Sequence, residues 1–154
     1  MTFETAIAFV LSEEGGYSND PNDPGGETNF GISKRSHPNV DIKNMTQDEA
    51  ESIYKYLYWD ACRCESLPDK LALAVFDSAV NQGVSAAIKM LQASIGAIQD
   101  GVIGPNTIER ANATDENSIM ARFLTERVLR YTALSSFFSY GRGWISRTMR
   151  VAML

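Results

Sequence analysis

Carboxylates and hydroxyls crowd one short stretch of the chain, SEEGGYSNDPNDPGGETNFGIS, from Ser12 to Ser33. Glu13 and Glu14 stand side by side before Gly15-Gly16. Asp20 and Asp23 each sit between an Asn and a Pro, and Thr28 follows shortly after Gly25-Gly26. Carboxyl groups held in different surroundings are the usual equipment of general acid–base chemistry. One stays protonated and donates to a leaving oxygen, and another, or a hydroxyl, orients or activates water.

Helical phase separates the two glutamates. At about 100° per residue, Phe3, Ala6, Ile7, Val10 and Leu11 share one face of a helix running from about Thr2 to Glu14. Glu14 falls within roughly 10° of the middle of that face, and Glu13 lies roughly 90° away at its edge. An inward carboxyl at a helix C-terminus loses hydration and meets the negative end of the helix dipole, and both effects favour its protonated form. That is the behaviour of a general acid, although a structural hydrogen bond near the helix end would use the same position. Asp20, Asp23 and Thr28 could face Glu14 across a cleft, but Asn-Asp-Pro units are equally good turn formers. Gly25-Gly26 suits either a ligand approaching the backbone or a hairpin turn.

Other chemistries fit less well. The single histidine, His37, precedes Pro38 in a loop with no Gly-x-Ser-x-Gly nearby. No phosphate-binding or dinucleotide fingerprint occurs, and the acidic stretch lacks the spacing of an EF-hand. Cys62 and Cys64 are too close for an unstrained disulfide and lack partners for a metal site, so free thiols are expected.

The elements that must position these residues are mostly helical. Thr2 caps the first helix, and Gly15-Gly16 end it. "ETNFGI" suits a strand of a small hairpin, and "SHPNVDIKN" reads as loop. Thr46 and Glu49 have capping-box spacing and open a helix to about Asp60. Further helices are expected over Asp69–Gln82, from about Ser85 to Ile95, over 105–111 and over 116–138. A last one, covering "WISRTMRV", is interrupted by "YGRG". The fold class is mainly α, with one small β element after the first helix.

The 154 residues, 44% of them hydrophobic, suit one globular body. Residues 1–109 carry 7 Lys+Arg against 16 Asp+Glu, and residues 110–154 carry 7 against 3. The acidic front argues against nucleic acid as a partner. The basic end could meet an anionic polymer or simply be a solvated face. The opening segment has no basic residue before its apolar run, so no secretory signal is expected and synthesis is expected in the cytoplasm.

The stretch EGGYSNDPNDPGGETNFGIS closely resembles the signature of glycoside hydrolase family 108, N-acetylmuramidases with a lysozyme-like fold. "LPDKLALAVFDSAVNQG" is similar to the family's Phe-Asp-x-Ala-Val-Asn-x-Gly segment. "MLQASIGAIQDGVIGPNT" is similar to the peptidoglycan-binding region that follows it, and "FFSYGRGWISRTMRV" to its Gly-Trp-x-x-Arg ending. The resemblance implies a lysozyme-like catalytic region over 1–88 and a helical peptidoglycan-binding-like region over 89–154, packed as one compact body. It implies Glu14 as the acid, with Asp23 or Asp20 and Thr28 assisting, and Tyr17 and Asn81 lining a saccharide cleft. Peptidoglycan is the implied partner, with no cofactor and no metal. A monomeric phage or prophage endolysin, without membrane insertion and released to the periplasmic wall through a holin, is the role it implies.

Overall fold

A computed structural model describes residues 1–19 and 26–154. The first helix, α1, covers Phe3–Glu13. The Thr2 hydroxyl caps it by accepting from the Thr5 N–H, and Phe3, Ala6, Ile7 and Val10 are buried along one face. It ends differently from the sequence expectation. Neither Gly15 nor Gly16 takes a left-handed conformation. The chain leaves the helix at Glu14 itself, which is extended (φ −91°, ψ 151°) while its N–H still closes the last turn on the Val10 carbonyl at 3.2 Å.

An antiparallel hairpin follows, β1 (Thr28–Asn29) with β2 (Ile32–Ser33), pairing Thr28 with Ser33 and Asn29 with Ile32. Its turn is Phe30-Gly31, both at positive φ (50° and 77°), the geometry that matches the twist of a tight hairpin. Gly26 therefore is not the hairpin turn. Backbone bonds in both directions between Ser18 and Thr28, each 2.8 Å, tie the entry of the preceding loop to β1.

Helix α2 (Gln47–Tyr54) opens with the expected capping box between Thr46 and Glu49. It continues as a π-helical turn over Lys55–Asp60, not as the plain α-helix expected. The reason is a burial spacing of five. Tyr54 and Trp59 are both buried, and in α geometry they would stand about 140° apart. The wider π turn lets Trp59 pack edge-on against Phe3 (5.7 Å) and Phe76 (5.5 Å) while Tyr58 stays beside Tyr54 (5.7 Å). A 3₁₀ turn at Cys64–Ser66 leads on, with both cysteines free and buried.

Helix α3 (Asp69–Gln82) is the central rod. Every residue from Leu71 to Ala79 is buried, the mark of a helix wrapped on all sides. It packs against α1, α4 (Val84–Ser94), α6 (Glu116–Thr132) and α7 (Phe137–Ala152). Between α4 and α5 (Pro105–Ala113), the buried Gln92 staples the Asp100-Gly101 turn: its Nε2 donates to Asp100 Oδ1 (2.6 Å) and its Oε1 accepts from the Gly101 N–H (3.0 Å). The last two helices break at residues 133–136, not at "YGRG", and α7 runs unbroken through both glycines. Gly141 is there for packing: a Cβ would stand 2.6 Å from the Phe137 ring. Among the described residues no helix is long and apolar enough to cross a membrane.

Candidate active site

The end of α1, the hairpin, the π turn, the end of α3 and the middle of α7 converge on a cavity of about 260 Å³. Glu14, Tyr54, Tyr58, Asn81 and Arg147 line it, with Gly31, Ser33, Ser36 and His37 on the hairpin side. Gly31 is required where it stands. A Cβ there would lie 2.7 Å from both Glu14 Oε2 and the Tyr54 hydroxyl, so the turn can close over these groups only without a side chain.

Among the described residues, Glu14 is held by one oxygen. Arg147 Nη1 donates to Oε1 at 2.8 Å, and Oε2 points toward the Gly31 turn. Burial alone does not separate the two glutamates, since the Glu13 side chain is 12% exposed and that of Glu14 is 21% exposed. What each faces separates them. Glu13 turns away to a two-pronged pair with Arg150 (2.6 and 2.5 Å), whose hydrogen bonds hold its carboxyl below the usual range.

Behind Glu14 lies a chain of buried charges. Arg147 Nε donates to Asp77 Oδ1 at 2.9 Å, and its Nη2 makes a 2.7 Å charge contact with the same oxygen. Arg127 Nη1 meets the other oxygen, Oδ2, at 2.7 Å, with both side chains fully buried. Arg127 in turn donates to the Tyr131 hydroxyl from Nε (3.3 Å) and Nη2 (3.2 Å). Two carboxylates and two guanidiniums therefore balance in the interior, which low-dielectric burial demands. Burial opposes the Arg147 charge, but Asp77 and Glu14 outweigh it and raise its pKa above the ordinary value. The Asn81 amide, with its oxygen turned to Arg147, accepts from Nη1 (3.1 Å) and donates to the Tyr131 hydroxyl (3.2 Å).

Two phenols complete the wall. Burial first, and the nearby Glu14 charge second, push the Tyr54 and Tyr58 hydroxyls above their ordinary value, so both remain protonated donors. Tyr54 spends its hydrogen on the Phe30 carbonyl at 2.8 Å, pinning the strained turn. The arrangement offers a ligand a carboxyl tethered through Oε1, a fixed cation and phenol and amide donors.

Of the residues singled out in the sequence, Glu14 and Asn81 come together here. Thr28 is paired within the hairpin and does not line the cavity. Tyr17 is surface-exposed, donating to Glu27 Oε1 at 2.9 Å, and does not line it either. Asp20 and Asp23 lie outside the described residues. Arg147, Asp77, Arg127, Tyr54 and Tyr58 join the site without standing out as a set by residue type or spacing in the sequence, and His37, expected in a loop, lines the cavity from the hairpin side. Asp77 carried one usable signal, an acid in the middle of an apolar helical run, four residues before Asn81. Arg147 carried another, as the arginine of "GWISR".

The family model described as glycosyl hydrolase 108 matches residues 7–83, which contain Glu14, the hairpin and Asp77. Among solved structures, SagA of Brucella abortus is 34% identical over 98% of this chain and 91% of that chain, with a TM-score of 0.88. No curated protein matches. The fold is lysozyme-like, mainly helical with the small hairpin after the first helix. The chain belongs to the glycosyl hydrolase 108 family, and is thus a glycoside hydrolase.

Proposed function

We propose that this protein is a muramidase that hydrolyses the β-1,4 bond between N-acetylmuramic acid and N-acetylglucosamine in peptidoglycan. The observation that carries the reading is the Glu14 carboxyl in the cavity wall, tethered through Oε1 to Arg147 with Oε2 beside the Gly31 turn. The proposed reaction uses the protonated form of Glu14, not the ionised form that pairs with Arg147 in this structure, and that form gives its proton to the glycosidic oxygen as the bond from that oxygen to C1 breaks. Water adds at C1, and its proton passes to a base. Asp23 or Asp20 takes the part of orienting and activating that water, and Thr28, outside the cavity wall, would assist only from the hairpin beyond it. Arg147 keeps the Glu14 carboxyl aimed, and Asn81 and Tyr58 offer hydrogen bonds to sugar substituents. Tyr17, outside the cavity wall, would meet only saccharide lying further along the surface. The biological setting this reading implies is a lysis enzyme of a phage or prophage, reaching the wall through a holin.

Glu14→Gln keeps the size of the side chain and removes the transferable proton. Digestion of purified peptidoglycan is expected to slow by about 10²-fold or more. Mass spectrometry of the muropeptides released by the wild type is expected to show reducing ends. Ends carrying a 1,6-anhydro ring would mean a lytic transglycosylase instead.

A further inference from the structure

We propose that Tyr140 and the half-buried Trp144, backed by the buried Tyr131 ring, form a second saccharide-binding surface, which holds the part of a glycan strand running out of the Glu14 cavity. The proposal rests on the muramidase reading for its choice of ligand. Tyr131 and Trp144 are stacked, with centroids 4.9 Å apart and planes at 21°, and Tyr140 lies over Trp144 at 6.0 Å and 32°. The stack runs from inside to outside: Tyr131 is buried, Trp144 half-buried and Tyr140 62% exposed.

The stack is continuous with the cavity wall at two points. The Tyr131 hydroxyl meets the cavity-lining Asn81 at 3.2 Å. Arg147, Trp144 and Tyr140 also share one stripe of α7, within about 60° of helical phase, with Tyr140 about 10 Å along the axis from Arg147. A cavity of about 260 Å³ is far too small for a polymer, so units beyond the cleaved bond must lie on adjoining surface. β-Linked pyranose rings keep their polar groups at the rim and present C–H bonds on their faces, which suits a flat aromatic ring with a polar edge. Trp144 is already immobilised by Tyr131, so little side-chain freedom is lost on binding. The protein has two tryptophans, and Trp59 is sealed in the core, which leaves Trp144 as the optical reporter.

The test titrates soluble, peptide-free peptidoglycan strands into full-length Glu14→Gln protein and follows tryptophan fluorescence. A saturable change is expected, with Kd weakened roughly fivefold or more by adding Tyr140→Ala, and restored by Tyr140→Phe. Phe138→Ala is the control, because Phe138 is 99% exposed on another face of α7 and outside the stack, and it is expected to leave Kd unchanged. Unchanged affinity in Tyr140→Ala, or a response to anionic lipid vesicles but not to strands, would overturn the proposal. Muropeptide release by the wild type is scored separately. Strand binding without cleavage would defeat the muramidase reading alone, and cleavage with Tyr140→Ala binding like its parent would defeat this surface alone.

Discussion

Arg147 donates to the Glu14 carboxylate at 2.8 Å across 133 residues of sequence. The contact links the last helix to the end of the first and fixes one oxygen of the cavity's carboxyl. Arg147 is itself fixed by Asp77, which Arg127 holds from the far side. The orientation of Glu14 is thus set by a relay that begins in the middle of the core.

Arg147→Lys tests the relay. A lysine carries the charge but has no planar fork with which to reach Asp77 and Glu14 together. With Glu14 left free to swing, kcat on peptidoglycan is expected to fall about 10- to 100-fold. An unchanged kcat would show that the carboxyl keeps its aim without the guanidinium.

Asp77→Ala is expected to be a folding lesion more than a catalytic one. It leaves the Arg127 and Arg147 guanidiniums buried with no shared counter-ion, a loss of about 3–5 kcal/mol. Urea unfolding monitored by circular dichroism measures it. A loss below about 1 kcal/mol would mean that other groups relieve the buried charge.

Gly31→Ala combines backbone and contact effects. At φ 77° an alanine costs about 1–2 kcal/mol, and its Cβ would press on Glu14 Oε2 and the Tyr54 hydroxyl. Reduced stability and reduced turnover are expected together. A variant with wild-type turnover would show that the turn can retreat without disturbing Glu14.

Glu13→Gln probes pH dependence away from the cavity. The Arg150 hydrogen bonds lower the Glu13 pKa in the folded protein below its ordinary 4.5. Its ionised form therefore stabilises the fold fully above 4.5, and the contribution disappears as pH falls through the lowered folded value. Wild type is expected to exceed Glu13→Gln at neutral pH by about 1 kcal/mol at most, because Arg150 is half exposed. The two should converge well below pH 4.5. Urea denaturation at both pH values checks this, and a gap that persists in acid would remove the ion pair as its source.

Much of the scaffold was legible because its signals are local. The Thr2 cap, the Thr46–Glu49 capping box and the bounds of α3 all follow from residues within one or two turns of each other. Glu14 reads as inward from helical phase, and it does face the cavity, although it does so as the residue that leaves the helix. Two readings failed for one reason: packing overrode propensity. The π turn exists because Tyr54 and Trp59 are both buried at a spacing of five. "YGRG" does not break α7, because Gly141 makes room for Phe137.

Local signals are enough to specify a mainly helical chain with a hairpin after its first helix, and the carboxyl that turns inward there. What that carboxyl meets depends on long-range packing. Arg147, Asp77, Arg127 and Asn81 come from three helices, and Thr28 and Tyr17, though close to Glu14 in the chain, do not line the cavity. Caps and periodicities are written in neighbouring residues. An ion pair closed across 133 residues leaves no periodic trace, because what selects it is the need to neutralise charge in a low-dielectric interior.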